Sequence, residues 1–364
     1  MIYTNILQSR PLIKMNDVTP TEDKIVLDAI FNKHYRAGIE TLTENVVAAF
    51  GKKYSEQSIE ERFTKTKKYR RQLRKLKKIP TIEQRSPEWY EIRNNLITAS
   101  DMGQALGVGK FGKVRDLYVK KSGYEDVPFG TFPALEWGVR FEAVATRIYE
   151  KRQNTHINEF GLVQHPTVSF YGASPDGITD NGVMLEIKCP YKRKIDGHIV
   201  DQYYFQMQGQ LEVCDLDECD FLECAFQEYF DEVDYDADWN KAKTMSADET
   251  EKGIIIIVGK NPDGHKYLYS EAGDTRDNLK KWLKSQEHIT DKYEYQMCYY
   301  KLKVYNVQKV IRDKVFFSEK ISLLKVVWDT VLRYRSDRDA YDIEIGKKVV
   351  KKRPVKCLFI TDDE

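Results

Sequence analysis

The segment from Ser174 to Pro190 constrains the fold of this chain more than any other. It reads Ser-Pro-Asp-Gly at 174–177, an Asp180-Asn181-Gly182 turn, then Leu-Glu-Ile-Lys-Cys-Pro at 185–190. Side chains alternate across a strand, so Val183, Leu185 and Ile187 fall on one, apolar face and Met184, Glu186 and Lys188 on the other. Glu186 and Lys188 therefore share a face, and the turn decides whether Asp176 joins them. A two-residue Asn181-Gly182 turn pairs Asp180 with Val183 and sets Asp176 opposite Ile187, on the wrong side. A three-residue loop with Gly182 left-handed pairs Thr179 with Val183 and sets Asp176 across from Glu186. We expect the three-residue loop. Cys189-Pro190 then ends the strand, because proline cannot donate to the ladder.

Around this hairpin the pattern is mixed. Ile25, Leu27, Ile30 and Phe31, then Val46, Val47 and Phe50, fall at helical spacings, and a basic stretch closes that region at Ile79-Pro80. Ser86 is placed to cap a helix that begins with Pro87 and Glu88 and runs to about Asn95. Ser100 is the expected cap of a second short helix ending near Gly107 and Gly109. Trp137, Phe141, Val144, Ala145, Ile148 and Tyr149 mark an amphipathic helix over 135–152. Strands follow at 161–164 and 168–171, then the hairpin, a helix at 201–213 and a strand at 220–226. Runs at 253–259 and 265–269 flank Asn261-Pro262-Asp263-Gly264 as another hairpin. Alternation at Cys298, Tyr300, Leu302 and Val304 gives a late strand. Ile321, Leu324, Trp328, Val331 and Leu332 define the buried face of a closing helix over 318–334. This order predicts an α/β fold with a mixed central sheet flanked by helices. We divide it into a helical region at 1–80, an α/β domain at 81–336 and a charged tail at 337–364.

Charge is balanced overall and uneven locally. The net charge is +1, yet nine of the fourteen residues from Lys65 to Lys78 are basic. Glu228 to Asp238 is mostly acidic, and Lys347 to Lys356 forms a second basic cluster. Such clusters bind phosphate backbones, act as nuclear addresses or remain solvated helix faces. No apolar run is long enough to span a bilayer, so no membrane insertion is expected. The first residues lack the pattern of a secretory leader. With six scattered cysteines, this points to reduced thiols in an intracellular protein of cytoplasm or nucleus. Cys214, Cys219 and Cys224 recur every five residues, but without a Cys-x-x-Cys pair we expect no metal cluster there.

The hairpin carries the chemistry. Phosphodiester cleavage needs an activated water, a grip on the phosphate and neutralisation of developing charge, which one or two Mg²⁺ ions provide. Hard cations take oxygen ligands, and Asp176, Glu186 and the Ile187 backbone carbonyl supply them. Lys188 would orient the water or stabilise the transition state. The bland reading makes Asp176 a turn residue and Glu186 with Lys188 an exposed strand pair.

Taken with other motifs, the hairpin closely resembles the PD-(D/E)xK nucleases, and within them the lambda exonuclease or YqaJ-like viral recombinase family. The likeness covers roughly Ser86 to Phe226. Trp89, Arg93 and Ser100 stand in that family's Trp-x3-Arg-x6-Ser arrangement, whose Arg and Ser contact a terminal 5′-phosphate. Ser174 is close enough in sequence to join that pocket. Trp137-Gly138-Val139-Arg140-Phe141-Glu142 matches a Trp-Gly-x3-Glu context that makes Glu142 a further metal ligand. Gln206-Met207-Gln208 matches a Gln-x-Gln helix whose second Gln enters the active site, which points to Gln208. The resemblance implies a restriction-endonuclease-like core and a Mg²⁺-dependent exonuclease, with Mn²⁺ able to substitute. Such an enzyme degrades linear double-stranded DNA 5′ to 3′ from phosphorylated ends, in recombination or viral genome processing. It further implies double-stranded DNA ends, a single-strand annealing protein and further copies of the chain in an oligomer as partners. The alternatives are a restriction-like or structure-specific endonuclease and a non-catalytic DNA-binding protein on a nuclease fold. The basic stretch at 65–78 is expected to contact phosphates.

Overall fold

The computed structural model describes residues 22–80, 82–109, 112–124, 133–261 and 264–345. Helices α1 (Glu22–His34), α2 (Ile39–Phe50) and α3 (Glu56–Leu76) close around Leu27, Phe31, Leu42, Val46 and Ile59. Val47, which shares the helical spacing, is 45% exposed on the outer side of α2. Ser55 caps α3 by accepting from the Ser58 N–H. The basic helix docks along one side, while most of its cations stay exposed. Lys65 pairs with Glu218, Lys68 lies 2.7 Å from Asp217, and Gln72 donates to the same Asp217 carboxylate at 2.9 Å. Leu73 and Leu76 bury their side chains in the main core.

The α/β domain begins with α4 (Pro87–Asn94), where Ser86 accepts from the Trp89 N–H at 3.1 Å and Pro87 takes the first turn. Strand β1 (Ile97–Thr98) runs directly into α5 (Ala99–Ala105), and Thr98 is its N-cap, not Ser100. Thr98 has the extended backbone a cap requires, whereas Ser100 already lies inside the first turn. Then come α6 (Val114–Ser122) and α7 (Pro133–Gln153), which buries the whole stripe from Trp137 to Tyr149 expected of it.

The strands β2 (Ile157–Asn158), β3 (Val163–Gln164), β4 (Tyr171–Ala173), β5 (Gly177–Thr179) and β6 (Met184–Lys188) follow. The hairpin turn is the three-residue loop. Gly177 pairs with Leu185 and Ile178 with Met184, the Thr179 N–H donates to the Val183 carbonyl at 2.8 Å, and Gly182 has φ +78°. Continued by one residue, this register sets Asp176 opposite Glu186. Helix α8 (Asp201–Cys214) carries the chain to β7 (Glu218–Glu228), which pairs parallel to β6. Helix α7, the antiparallel strands β2, β5 and β6, then α8 and parallel β7, form the core of the mixed sheet flanked by helices that the sequence predicts.

The sheet then grows beyond that core. Helix α9 (Glu232–Ala237), the hairpin β8 (Lys252–Asn261) and β9 (Gly264–Tyr269), and helices α10 (Arg276–Ser285) and α11 (Glu287–Thr290) lead to β10 (Tyr295–Ile311). Strand β1 pairs parallel with β4, and β4 antiparallel with β3, in a three-stranded sheet; the other strands form one sheet ordered β2-β5-β6-β7-β10-β8-β9. Strand β10 has 17 residues because its first part pairs with β8 and its second with β7. Helix α12 (Phe316–Ser336) buries Leu324, Trp328 and Val331, but Leu332 is 44% exposed. Helix α13 (Arg338–Glu344) packs Tyr341 and Tyr334 together beside Tyr124, so the first residues of the expected tail are folded. The basic cluster at 347–356, Cys357 and the Pro262-Asp263 turn lie outside the described residues.

Strand β6 is covered on both faces. Met184 joins a core with α8, α5 and α12, while Leu185 and Ile187 join another beneath α7. Its polar face is therefore interior, which an alternating pattern alone does not reveal. Cys219 and Cys224 belong to these two separate cores, and the described cysteines are free buried thiols. Among the described residues no helix is long and apolar enough to cross a membrane.

Gly182 tests the turn. A Cβ there would stand 2.7 Å from the Tyr69 carbonyl of α3, on a backbone that already disfavours a side chain. Gly182→Ala should lower stability by about 1–3 kcal/mol in denaturant unfolding. A variant as stable as the parent would show that α3 does not dock on this turn.

Candidate active site

Glu186 is fully buried, and both of its oxygens are occupied. Oε1 accepts from Lys188 Nζ and from Gln206 Nε2 at 2.7 Å, and Oε2 accepts from Gln210 Nε2 at 2.8 Å. Across the hairpin, Asp176 accepts from the Ile187 backbone N–H at 2.7 Å. Burial, then the like charges of Glu186 and Glu142, push the Asp176 carboxyl well above the usual range, against Lys188 and the Ile187 N–H. Burial alone would lower Lys188, but Glu186 and Asp176 outweigh it and hold the ammonium above the usual lysine value. Glu142 reaches the same cluster from α7, on the opposite face of the sheet. Burial raises its carboxyl, opposed by Arg85 at 3.2 Å and by Lys188, with Glu186 and Glu159 adding to the rise.

The glutamines divide differently from expectation. Gln206 and Gln210 are four residues apart, on one face of α8, and both hold Glu186. Gln208 points about half a turn away. Its Nε2 donates to the Ile311 carbonyl at 2.9 Å and its Oε1 accepts from the Asp313 N–H at 2.8 Å. The run 206–210 contains the Gln-x-Gln spacing twice, and the second copy ends at Gln210. That overlap was the available signal for the residue missed.

Arg93 and Ser100 do come together. Arg93 Nη2 donates to Ser100 Oγ at 3.2 Å, and its guanidinium lies 4.1 Å from the Trp89 ring centre. Trp89 Nε1 donates to Ser174 Oγ at 3.1 Å, so Ser174 positions the tryptophan on which Arg93 rests. Burial lowers the Arg93 pKa, with Asp101 and Tyr90 opposing. Behind this group, buried Asp101 accepts from the Thr98 N–H and hydroxyl at 3.1 and 2.7 Å and pairs with Lys121 at 3.0 Å. Burial brings Lys121 down to about 8, against the pull of Asp101, and its ammonium also donates to the Arg93 and Leu96 carbonyls. Lys121 thereby ties the end of α4 to the start of α5. Arg85, which the sequence did not single out, has φ +68° and faces Glu142. A residue held there against steric preference is a feature of functional clefts.

Glu142 and Asp176 line one cleft of 690 Å³. Clustered carboxylates that raise one another's pKa concentrate negative charge of the kind a divalent cation neutralises. Among the described residues, no three acidic, His or Cys side chains close into a finished metal cage. Mg²⁺ does not require one, since it commonly takes one or two carboxylates and keeps several waters. The donor set fits a hard cation of that type.

Residues 88–217 match the model of the YqaJ-like viral recombinase domain, a span that contains every site residue picked from the sequence. An uncharacterised protein of Acanthamoeba polyphaga mimivirus is 32% identical over 330 residues, covering 79% of this chain and 60% of that protein. The chain thus spans about three fifths of that relative's length. Two structures of an alkaline exonuclease from Laribacter hongkongensis, one with dAMP, are each 17% identical. They cover 71% of this chain and 100% of theirs, with TM-scores of 0.42 and 0.41. A phage-related exonuclease from Haemophilus somnus is 12% identical over 69% of this chain and 98% of that one, with a TM-score of 0.35.

The position of Gln208 is open to a direct check. Gln208→Ala leaves the Ile311 carbonyl and the Asp313 N–H without their partner and should cost about 1–3 kcal/mol in chemical denaturation. An unchanged unfolding midpoint would mean that these two bonds do not form.

Proposed function

We propose, on the match of residues 88–217 to the YqaJ-like viral recombinase domain, that this protein is a Mg²⁺-dependent deoxyribonuclease that degrades linear double-stranded DNA 5′ to 3′ from phosphorylated ends, in recombination or viral genome processing. The observation that carries the reading is the hairpin register, which brings Asp176 across from Glu186 with Lys188 on the same face. A bound divalent cation would supply an activated water and neutralise charge building on the phosphate. Asp176, Glu186 and Glu142 offer ligand oxygens from two faces of the sheet. A strand residue turns its N–H and C=O to the same flank, so the Ile187 carbonyl faces the edge on which Asp176 lies. Glu186, gripped by two amides, keeps Lys188 in place and charged. That ammonium can then donate to the scissile phosphate or orient the attacking water. Arg93, stacked on Trp89 and bonded to Ser100, presents a planar donor suited to a terminal phosphate.

The test uses a 5′-phosphorylated linear duplex, an unphosphorylated one and a closed circle, each with Mg²⁺ or EDTA. Degradation of the linear molecules alone, with Mg²⁺ alone, supports the exonuclease. Nicking of the circle would favour an endonuclease, and no cleavage a DNA-binding protein. Asp176→Ala and Lys188→Ala should each lower cleavage by about 100-fold or more, with DNA affinity nearly unchanged because binding rests on dispersed phosphate contacts. Gln210→Ala should lower turnover more than Gln208→Ala once both are corrected for folded fraction. Arg93→Ala should remove most of the preference for a 5′-phosphate; equal losses on both kinds of end would exclude it from that role.

A further inference from the structure

The basic stretch of α3 is the sequence motif that the proposed chemistry leaves unused, and the structure separates its cations into two sets. Lys65 and Lys68 hold Glu218 and Asp217 and so dock the helix. Arg70, Arg74 and Lys77 recur at spacings of four and three and share another face. These three line a cavity of 760 Å³ together with Tyr35 and Arg36. At Lys77 and His156 it meets a second cavity, of 430 Å³, floored by residues 156–160. That one in turn shares His156, Glu159 and Phe160 with the 690 Å³ cleft that holds Glu142 and Asp176. A single groove therefore leads from the carboxylates to the basic edge of α3. Asp176 and Asp180, at its two ends, are separated by roughly 13 Å of strand.

Charge reverses along this groove. The cleft end carries Glu142, Glu159 and Asp176 with Arg85 and Arg147 beside them, and the far end, where Glu150 and Asp180 also stand, carries the excess cations Arg36, Arg70, Arg74 and Lys77. Among the described residues, none of these four cations forms an ion pair, unlike Lys65 and Lys68 on the same helix. Arg70 is held in place by Asn32, by Asn181 at 3.1 Å and by the Tyr35 ring at 3.9 Å, yet its Nε is buried without a partner. Such a gradient suits a polyanion whose reacting phosphate sits among carboxylates through a cation and whose next phosphates meet arginine and lysine directly. The three cavities adjoin in single file, at Lys77 and His156 and then at His156, Glu159 and Phe160, a path along which one phosphate backbone can run.

Resting on the nuclease reading above, we infer that this groove guides a single nucleic-acid strand between the carboxylate cluster and α3, with Arg70, Arg74 and Lys77 holding its phosphates. The measurement is binding of a labelled thymidine homopolymer, in EDTA, across a series of salt concentrations. Wild type is compared with R74A/K77A and with the charge-matched control R71A/K75A, whose residues are exposed on the same helix and line none of the three cavities. The groove variant should lose about tenfold in affinity and about 1.4 in the slope of log K against log salt, two contacts at ~0.7 each. The control should stay within about twofold of wild type, as expected where no phosphate contact is lost. Equal losses in the two double variants, or an equal loss of blunt duplex and single strand in R74A/K77A, would overturn the assignment. Cleavage of a linear duplex by wild type with Mg²⁺ is read separately. A wild type that binds the strand in this pattern but never cuts overturns the nuclease reading and leaves the groove standing.

Discussion

A carboxylate with no solvent exposure, Glu186, sets the terms for the rest of the molecule. Removing one partner from a buried ion pair costs about 3–5 kcal/mol, so the three donors around Glu186 must all be in place. Lys188 comes from the same strand and needs only the alternation of β6. Gln206 and Gln210 come from α8, and their joint contact fixes the rotation of that helix against the sheet. Once α8 is so turned, Gln208 must face away, where it ties the helix to the end of β10. One buried charge thus connects the hairpin, the following helix and the far strand.

The site also depends on elements outside the likeness to known families. Helix α3 presses the Tyr69 carbonyl against the turn that holds the hairpin in register. Its lysines reach the start of β7, the strand that lies beside β6. The N-terminal helices are therefore part of the framework of the site, and the basic edge they bring is continuous with its cleft. On the other side, Lys121 joins α4 to α5 through the Arg93 and Leu96 carbonyls and Asp101, which holds Arg93 near Ser100.

Much of this was legible where local rules operate. Ser86 and Pro87 begin α4 because capping is decided within a few residues. The stripe on α7 is buried as its periodicity requires. The loop at 180–182 followed from asking which register returns Asp176 to the face of Glu186. Other readings failed where two local solutions compete. Thr98 and Ser100 are both good caps, and only the end of β1 selects Thr98. Three glutamines fit a Gln-x-Gln spacing, and only the packed angle of α8 selects 206 and 210. Leu332 has helical spacing but sits at the edge of its stripe, where α12 meets solvent.

By itself the sequence determined the hairpin register, the order of those helices and strands that it marked and the presence of Asp176, Glu186 and Lys188 on one face, since each depends on alternation, turn chemistry and spacing along the chain; it gave no sign of α6, β2, α10 or α13. Tertiary structure alone decided that this polar face is interior, that Glu142 approaches from the opposite layer, and which cations of α3 are spent on docking and which line the groove. Those outcomes depend on contacts between residues far apart in the chain, which no pattern within a single segment encodes.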